Sequence, residues 1–294
     1  MKILYTREQT GQDYLSDNLL HGLRSLEGAE VVDSPRLWYL YKEDFANTNP
    51  LSIYGYGFSY CGVLDNDTVD RSDIEGKIRS KYFDLIILSR IDHPSPYLNL
   101  ILENYDPTQI IIVDGQDSTG INTDFLNKGV YFKRELIESD ANILPINFGF
   151  PKEKIQSVKD KTQILSDAAP SLHIFTVEQE YYDNYNKSLF GKTRKKSGWD
   201  CMRHYEILAC RTIPWFEDIK DCPERICTSL PKELLIVALD LINQNGAEWF
   251  MAGAGRDRYC ELESGMHDHF LKHCTTEALA RYVLDAHAKK GKLI

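Results

Sequence analysis

The chain has 294 residues, 43% apolar and 11% aromatic, enough to bury one large core or two of ordinary size. Net charge is −10 and the pI about 5.3, so nothing global draws the chain to nucleic acid or anionic membrane; a polyanion would need a local basic patch. The longest apolar runs fall short of a membrane span, and the seven cysteines show no CxxC spacing, which reads as reduced thiols in a cytoplasmic protein.

MKILYTREQT opens on a strand, KILYT, and not on a signal peptide. Leu15, Leu19, Gly22, Leu23 and Leu26 then repeat at helical spacing, and AEVVDS reads as a second strand. Residues 47–76, rich in Gly, Tyr, Asn and Asp, predict a long excursion. FDLIILS and QIIIVDG are near-continuous Ile/Leu/Val runs, the pattern of strands covered on both faces of a parallel sheet. VYFKREL and ILPINF add edge elements. Residues 1–150 thus read as a Rossmann-like α/β unit.

After a polar stretch at 151–171, LHIFTV, TIPWF and RICTSL look like strands, with helices expected at 180–190, 200–210, 232–244 and 268–289. Residues 151–294 form a second, smaller Rossmann-like unit, with a last helix expected to pack back on the first. Two such units would face each other across a cleft at the carboxyl ends of their strands, where ligands bind.

The stretch KKSGWDCMRHYEILACRTIPWF, residues 195–216, sets a short charged helix before a buried strand. A helix capped by Asp200 would turn Met202, Tyr205, Leu208 and Ala209 inward and put Arg203, Glu206 and Cys210 on another face. An ordinary surface Arg–Glu pair is one reading. The other is that the free N–H groups at the helix start, with Lys195, Lys196, Arg203 and His204 around them, hold a diphosphate while Glu206 accepts from a ribose diol.

GWDCMRHYEILACRTIPWFEDIKDCP resembles the donor-binding segment of GT-B-fold glycosyltransferases, especially short ones of bacterial and viral polysaccharide gene clusters. In that superfamily a Glu heading a helix, followed by a pattern like E-hydrophobic-x-A-C-G-x-I-P, contacts the nucleotide ribose, and Glu206 stands there. YFKRELIESDANILPINFGFP is similar to the final strand and interdomain linker of the same group. The resemblance implies two Rossmann-like domains of GT-B type and a nucleotide-diphosphate sugar as donor, a UDP-sugar first among them. It implies no cofactor and no metal. Two positions depart from the pattern. Gly198 replaces the acidic residue common eight positions before the ribose Glu, and Arg211 replaces the Gly after Ala-Cys, at a cost of roughly 1 kcal/mol if the backbone there is left-handed.

A base that removes the acceptor's hydroxyl proton belongs on a loop at a strand's carboxyl end. Asp92 and His93 follow FDLIILS, and Asp117 follows QIIIV; these are the catalytic candidates, with Glu8 and Asp13 weaker ones. Asp92 could instead cap a helix near Pro94, and His93 could be a plain loop residue. Arg134 could face the cleft or pair with Glu135 at the surface. The tyrosines of IYGYGFSY could stack on an acceptor sugar or line a long loop. MHDHFLKHC puts His269 and His273 on one helix face without a familiar zinc spacing, and GAGRDR in MAGAGRDRY is too incomplete for a dinucleotide fingerprint.

The expectation is a glycosyltransferase that moves a sugar from a nucleotide-diphosphate donor to a hydroxyl on a carbohydrate or other acceptor. A noncatalytic nucleotide-sugar or carbohydrate-binding protein is the alternative from another class. A viral-type DNA-base glycosyltransferase is a third reading, not favoured by the net charge. It would need a basic groove around Lys133, Arg134 and residues 192–196.

Overall fold

The computed structural model describes every residue except 9–10, 139, 141, 158, 169–173 and 291–294. In chain order the regular elements of the first half are β1 (Lys2–Thr6), α1 (Tyr14–Arg24), β2 (Glu30–Ser34), α2 (Lys42–Ala46), α3 (Ile74–Arg79), β3 (Leu85–Leu88), α4 (Leu98–Asn104), β4 (Ile110–Asp114), β5 (Val130–Lys133) and β6 (Ile143–Pro145). The second half holds β7 (Gln163–Leu165), α5 (Glu178–Asn186), β8 (Ser188–Thr193), α6 (Met202–Ala209), β9 (Ile213–Phe216), α7 (Lys232–Asn245), α8 (Gly253–His273) and α9 (Thr276–Lys290).

Among the described residues the first six strands form one parallel sheet in the order β2-β1-β3-β4-β5-β6, and β7-β8-β9 form a second parallel sheet. The protein is therefore α/β and Rossmann-like. Strand alternation divides the first core in two. Ile3, Tyr5, Val31, Ile87, Ile111 and Val113 pack on one face, and Leu4, Val32, Ile86, Leu88, Ile110 and Ile112 on the other. The first of these clusters continues without a break through Phe148 into Tyr205, Phe190 and Phe250, so the two sheets share apolar packing.

The strand order reverses between β1 and β3, which makes the carboxyl ends of those strands the switch point of the sheet. The expected excursion at 47–76 runs irregularly, with short 3-10 turns at Pro50–Ser52 and Tyr54–Gly57, until α3 begins at Ile74. The last helix packs back on α1 as expected. A side chain on Gly22 would meet the Thr276 carbonyl oxygen at 1.9 Å, so the absence of a Cβ there lets α9 lie directly on α1.

The second half departs from expectation in several places, among them β7 inside the stretch read as polar and an α8 that begins as early as Gly253. LHIFTV is no strand over 174–177, and its first two residues lie outside the described residues. The strand is β8, whose SLFGKT carries only a brief apolar run; an added Cβ at Gly191 would lie 2.8 Å from the Tyr185 ring and 3.0 Å from Ile207, so the glycine admits α5 and α6 against the strand. RICTSL is a turn, with Cys227 at φ 52°. The helix expected at 268–289 is broken at Cys274–Thr275, where Phe150 donates to the Cys274 carbonyl (2.9 Å) and accepts from Thr276 (3.0 Å).

Candidate functional site

A cleft of about 420 Å³ lies between the two halves, lined from the first by Asp117, Arg134, Phe148 and the 54–58 loop, and from the second by Tyr181, 196–198, 200–203 and Glu206. A smaller lobe of about 260 Å³ adjoins it over the carboxyl ends of β1 and β4. Tyr14, Tyr54, Asp117, Arg134 and Phe148 line both.

The start of α6 opens on the larger lobe. Its N-cap is Cys201, with no side-chain hydrogen bond to the first turn, so the expectation that Asp200 caps the helix is corrected. Asp200 is buried one residue earlier, where its carboxylate accepts from the Phe148 N–H (2.8 Å) and the Tyr205 hydroxyl (2.9 Å). Burial pushes its pKa up to about 6, against the opposing charge of Arg134 and these donors. The His204 N–H is taken by the Cys201 carbonyl (3.1 Å), and no side chain caps the first turn, so the start of α6 can present backbone N–H groups to an anion.

Arg203 and Glu206 both line the larger lobe, one turn apart on α6. They form no ion pair with each other. The Arg203 Nε is buried and has no partner among the described residues. Glu206 is 8% exposed; Ser59 Oγ donates to one carboxylate oxygen and Tyr181 Oη to the other, each at 2.6 Å. Ser59 itself sits at φ 74°, with its N–H on Glu178 (2.6 Å) and its Oγ accepting from Tyr182 (2.8 Å). Spacing identified Glu206 but not Ser59, because that contact joins residues 147 apart.

Lys196 lines the cleft and donates to the Tyr54 hydroxyl at 3.3 Å. Lys195 does not line it: its ammonium lies over the Trp199 ring at 5.1 Å, outside the cavity. His204 is corrected outright. It is fully buried, stacked on Phe216 at 4.3 Å, with its two ring nitrogens on Thr193 Oγ1 (2.9 Å) and the Trp199 carbonyl (2.8 Å). Burial lowers its pKa to about 4, so it is a neutral core group facing away from the cleft.

On the opposite wall Arg134 is the hub. Its guanidinium pairs with Asp117, donates to Glu135 (3.0 Å) and to the Gly115 and Asp200 carbonyls (2.9 and 2.5 Å), and lies over the Phe148 ring. Glu135 in turn accepts from the Trp199 and Asp200 N–H groups (2.9 and 3.0 Å), which ties the segment before α6 to the first sheet. Arg134 and Glu135 are therefore a buried pair, not a surface lattice.

Asp117 reaches both lobes. Asp92 and His93 reach neither, which corrects the expectation that this pair lines the cleft. Asp92 pairs with Arg90 at 2.6 Å; burial raises its pKa, but the Arg90 hydrogen bond and charge outweigh this and hold it below the usual carboxylate range. His93 stands 3.7 Å from Asp92 on its own loop and 3.7 Å from Glu8 on the loop after β1.

Of the residues that a DNA-binding groove would need, Lys133, Arg134 and 192–196, three are committed within the protein: Arg134 is the buried hub described above, and the two lysines Lys133 and Lys192 face carboxylates. Lys133 is fully buried on Asp114 (2.9 Å), its cross-strand neighbour, and Lys192 stands 3.7 Å from Glu217. Arg211 does take the left-handed conformation, φ 54°, and its guanidinium grips Glu263 on α8 (2.6 and 2.9 Å) instead of reaching the cleft. Among the described residues no three His, Cys, Asp or Glu side chains gather so as to hold a metal ion, and no helix is long and apolar enough to cross a membrane. The His269 and His273 rings lie 4.6 Å apart at a tilt of 45°, and His269 bonds the Ser229 carbonyl.

Compared with known proteins, the chain matches no protein-family model and no curated sequence.

Proposed function

We propose that the protein is a GT-B-type glycosyltransferase that uses a nucleotide-diphosphate sugar, with the donor on the second half of the chain and the acceptor on the first. The observation that carries this reading is the uncapped start of α6, with Arg203 and Glu206 turned into a cleft whose far wall presents Asp117. The diphosphate lies on the helix N-terminus near Arg203 and Lys196, and the ribose hydroxyls donate to Glu206. The acceptor oxygen bonds to the donor's anomeric carbon, the bond from that carbon to the β-phosphate oxygen breaks, and the diphosphate leaves with the electron pair. The acceptor's proton passes to Asp117, which lines both lobes. Positive groups and helix N–H donors stabilise the leaving diphosphate.

The competing reading is a noncatalytic binding protein, and it is favoured by one observation: both Glu206 oxygens already accept hydrogen bonds from the chain, as in a purely structural latch. Thermal-shift titration with nucleoside diphosphates and their sugars, followed by an assay of UDP-sugar turnover, separates the two. The transferase reading expects a raised midpoint with UDP and slow release of free sugar from the donor; binding without any turnover leaves the binding-protein reading.

A further inference from the structure

We propose that the smaller lobe receives an uncharged, hydroxyl-rich acceptor, a carbohydrate, and not a phosphate-bearing one. The inference rests on the transferase reading and adds the acceptor's chemical class to it.

The lobe's polar lining consists of the carboxamides Gln12 and Gln116, the carboxylates Asp13 and Asp117, tyrosines, and Arg134. Gln12 Oε1 accepts from the Tyr54 N–H at 3.3 Å, which fixes the carboxamide and leaves its NH2 to donate. Carboxamides and carboxylates pair with neighbouring hydroxyls, while an exposed aromatic face accepts the C–H face of a sugar ring. Tyr54 is 60% exposed at the junction of the two lobes and is suited to that role.

Charge decides against a phosphate. Arg134 is the one cation among the described residues that line the lobe, and its side chain is 3% exposed. Its donors already serve Asp117, Glu135 and two backbone carbonyls. A phosphate seated here would lose water beside Asp13 and Asp117 with no uncommitted cation in the lobe's own lining; the exposed Lys196 ammonium stands in the larger lobe, on the Tyr54 hydroxyl. Nucleic-acid sites rely on lysines and arginines free to contact phosphates, and Lys133, the nearest in sequence, is buried on Asp114. An uncharged polyol has no such penalty, and a hydroxyl seated in the lobe lies beside Asp117.

Saturation-transfer NMR on the full chain tests this, using methyl glucoside, galactoside and mannoside against glucose 6-phosphate and a short duplex DNA. Each is measured with and without saturating UDP. At least one neutral glycoside should bind, with little dependence on salt, and should bind roughly tenfold more weakly to Gln116→Ala or Tyr54→Ala. Both positions are exposed, so the variants keep the fold. Binding confined to the phosphate-bearing probes overturns the proposal, as does binding of no glycoside or equal glycoside binding by wild type and variants. Failure of UDP alone to bind counts against the donor site and leaves the glycoside result standing by itself.

Discussion

Ser59 donates to Glu206 at 2.6 Å, joining a loop of the first half to a helix of the second across 147 residues. The donor is held in a conformation that disfavours it, at φ 74°, so the contact works against local backbone strain. Ser59→Ala and Ser59→Gly both remove the hydroxyl, but only glycine tolerates the dihedral. The alanine variant should lose about 1.5–3 kcal/mol, as for a hydrogen bond to a charged group, and the glycine variant about 1 kcal/mol less. Urea unfolding of the pair measures the difference. A glycine variant no more stable than the alanine variant would show that the loop carries no strain.

The proton acceptor is tested by substitution at three positions. Asp117→Asn should slow transfer by roughly 10²–10⁴-fold with little change in UDP affinity. Asp92→Asn and His93→Ala, which stand outside the cleft, should transfer at near-normal rates. The reverse pattern would return the role to the loop after β3.

His204 sets a pH dependence of stability. Its folded pKa, lowered to about 4 by burial, lies below the unfolded value near 6.5, so the unfolded chain takes up a proton first as pH falls. Its contribution is fully present above about pH 6.5 and is lost as pH falls toward 4, by about 2 kcal/mol at pH 5. Asp17 and Asp200, raised to about 7 and about 6 mainly by burial, act in the opposite sense and cancel between wild type and variant. His204→Gln should therefore lose less stability than wild type between neutral pH and pH 5. Parallel curves would mean that the imidazole titrates normally.

Gly22→Ala tests the packing of the last helix. The added methyl would meet the Thr276 carbonyl at 1.9 Å, so α9 must shift, at about 1–3 kcal/mol. An unchanged unfolding midpoint would show that α9 is not held against α1.

The first sheet was legible because its strands are apolar on both faces: LIIL and IIIVD leave no other periodicity to read. The second sheet was not. LHIFTV has the better strand composition, yet β8 takes the position because Gly191 admits two helices, a close approach that no local pattern reveals. The helix break at Cys274–Thr275 has a similar cause, since Phe150 bonds into it from far along the chain. Within the site, Arg203 and Glu206 could be read from helical spacing and Asp117 from its place after a strand. His204 misled because it neighbours a cleft residue on α6 but points to the opposite side of the helix. Ser59 escaped notice, and Glu135 was read only as a surface partner of Arg134, because their contacts join the two halves; Tyr181 escaped because its bond to Glu206 joins residues 25 apart on different helices.

The central claim is that a nucleoside diphosphate sits on the start of α6 with its ribose on Glu206. Calorimetric titration of UDP and inorganic pyrophosphate into wild type and Glu206→Ala tests it most directly, since pyrophosphate has no ribose. The account predicts that the substitution weakens UDP by roughly tenfold or more and leaves pyrophosphate nearly unchanged. Equal losses for both ligands, or a wild-type protein that binds no UDP, would contradict it.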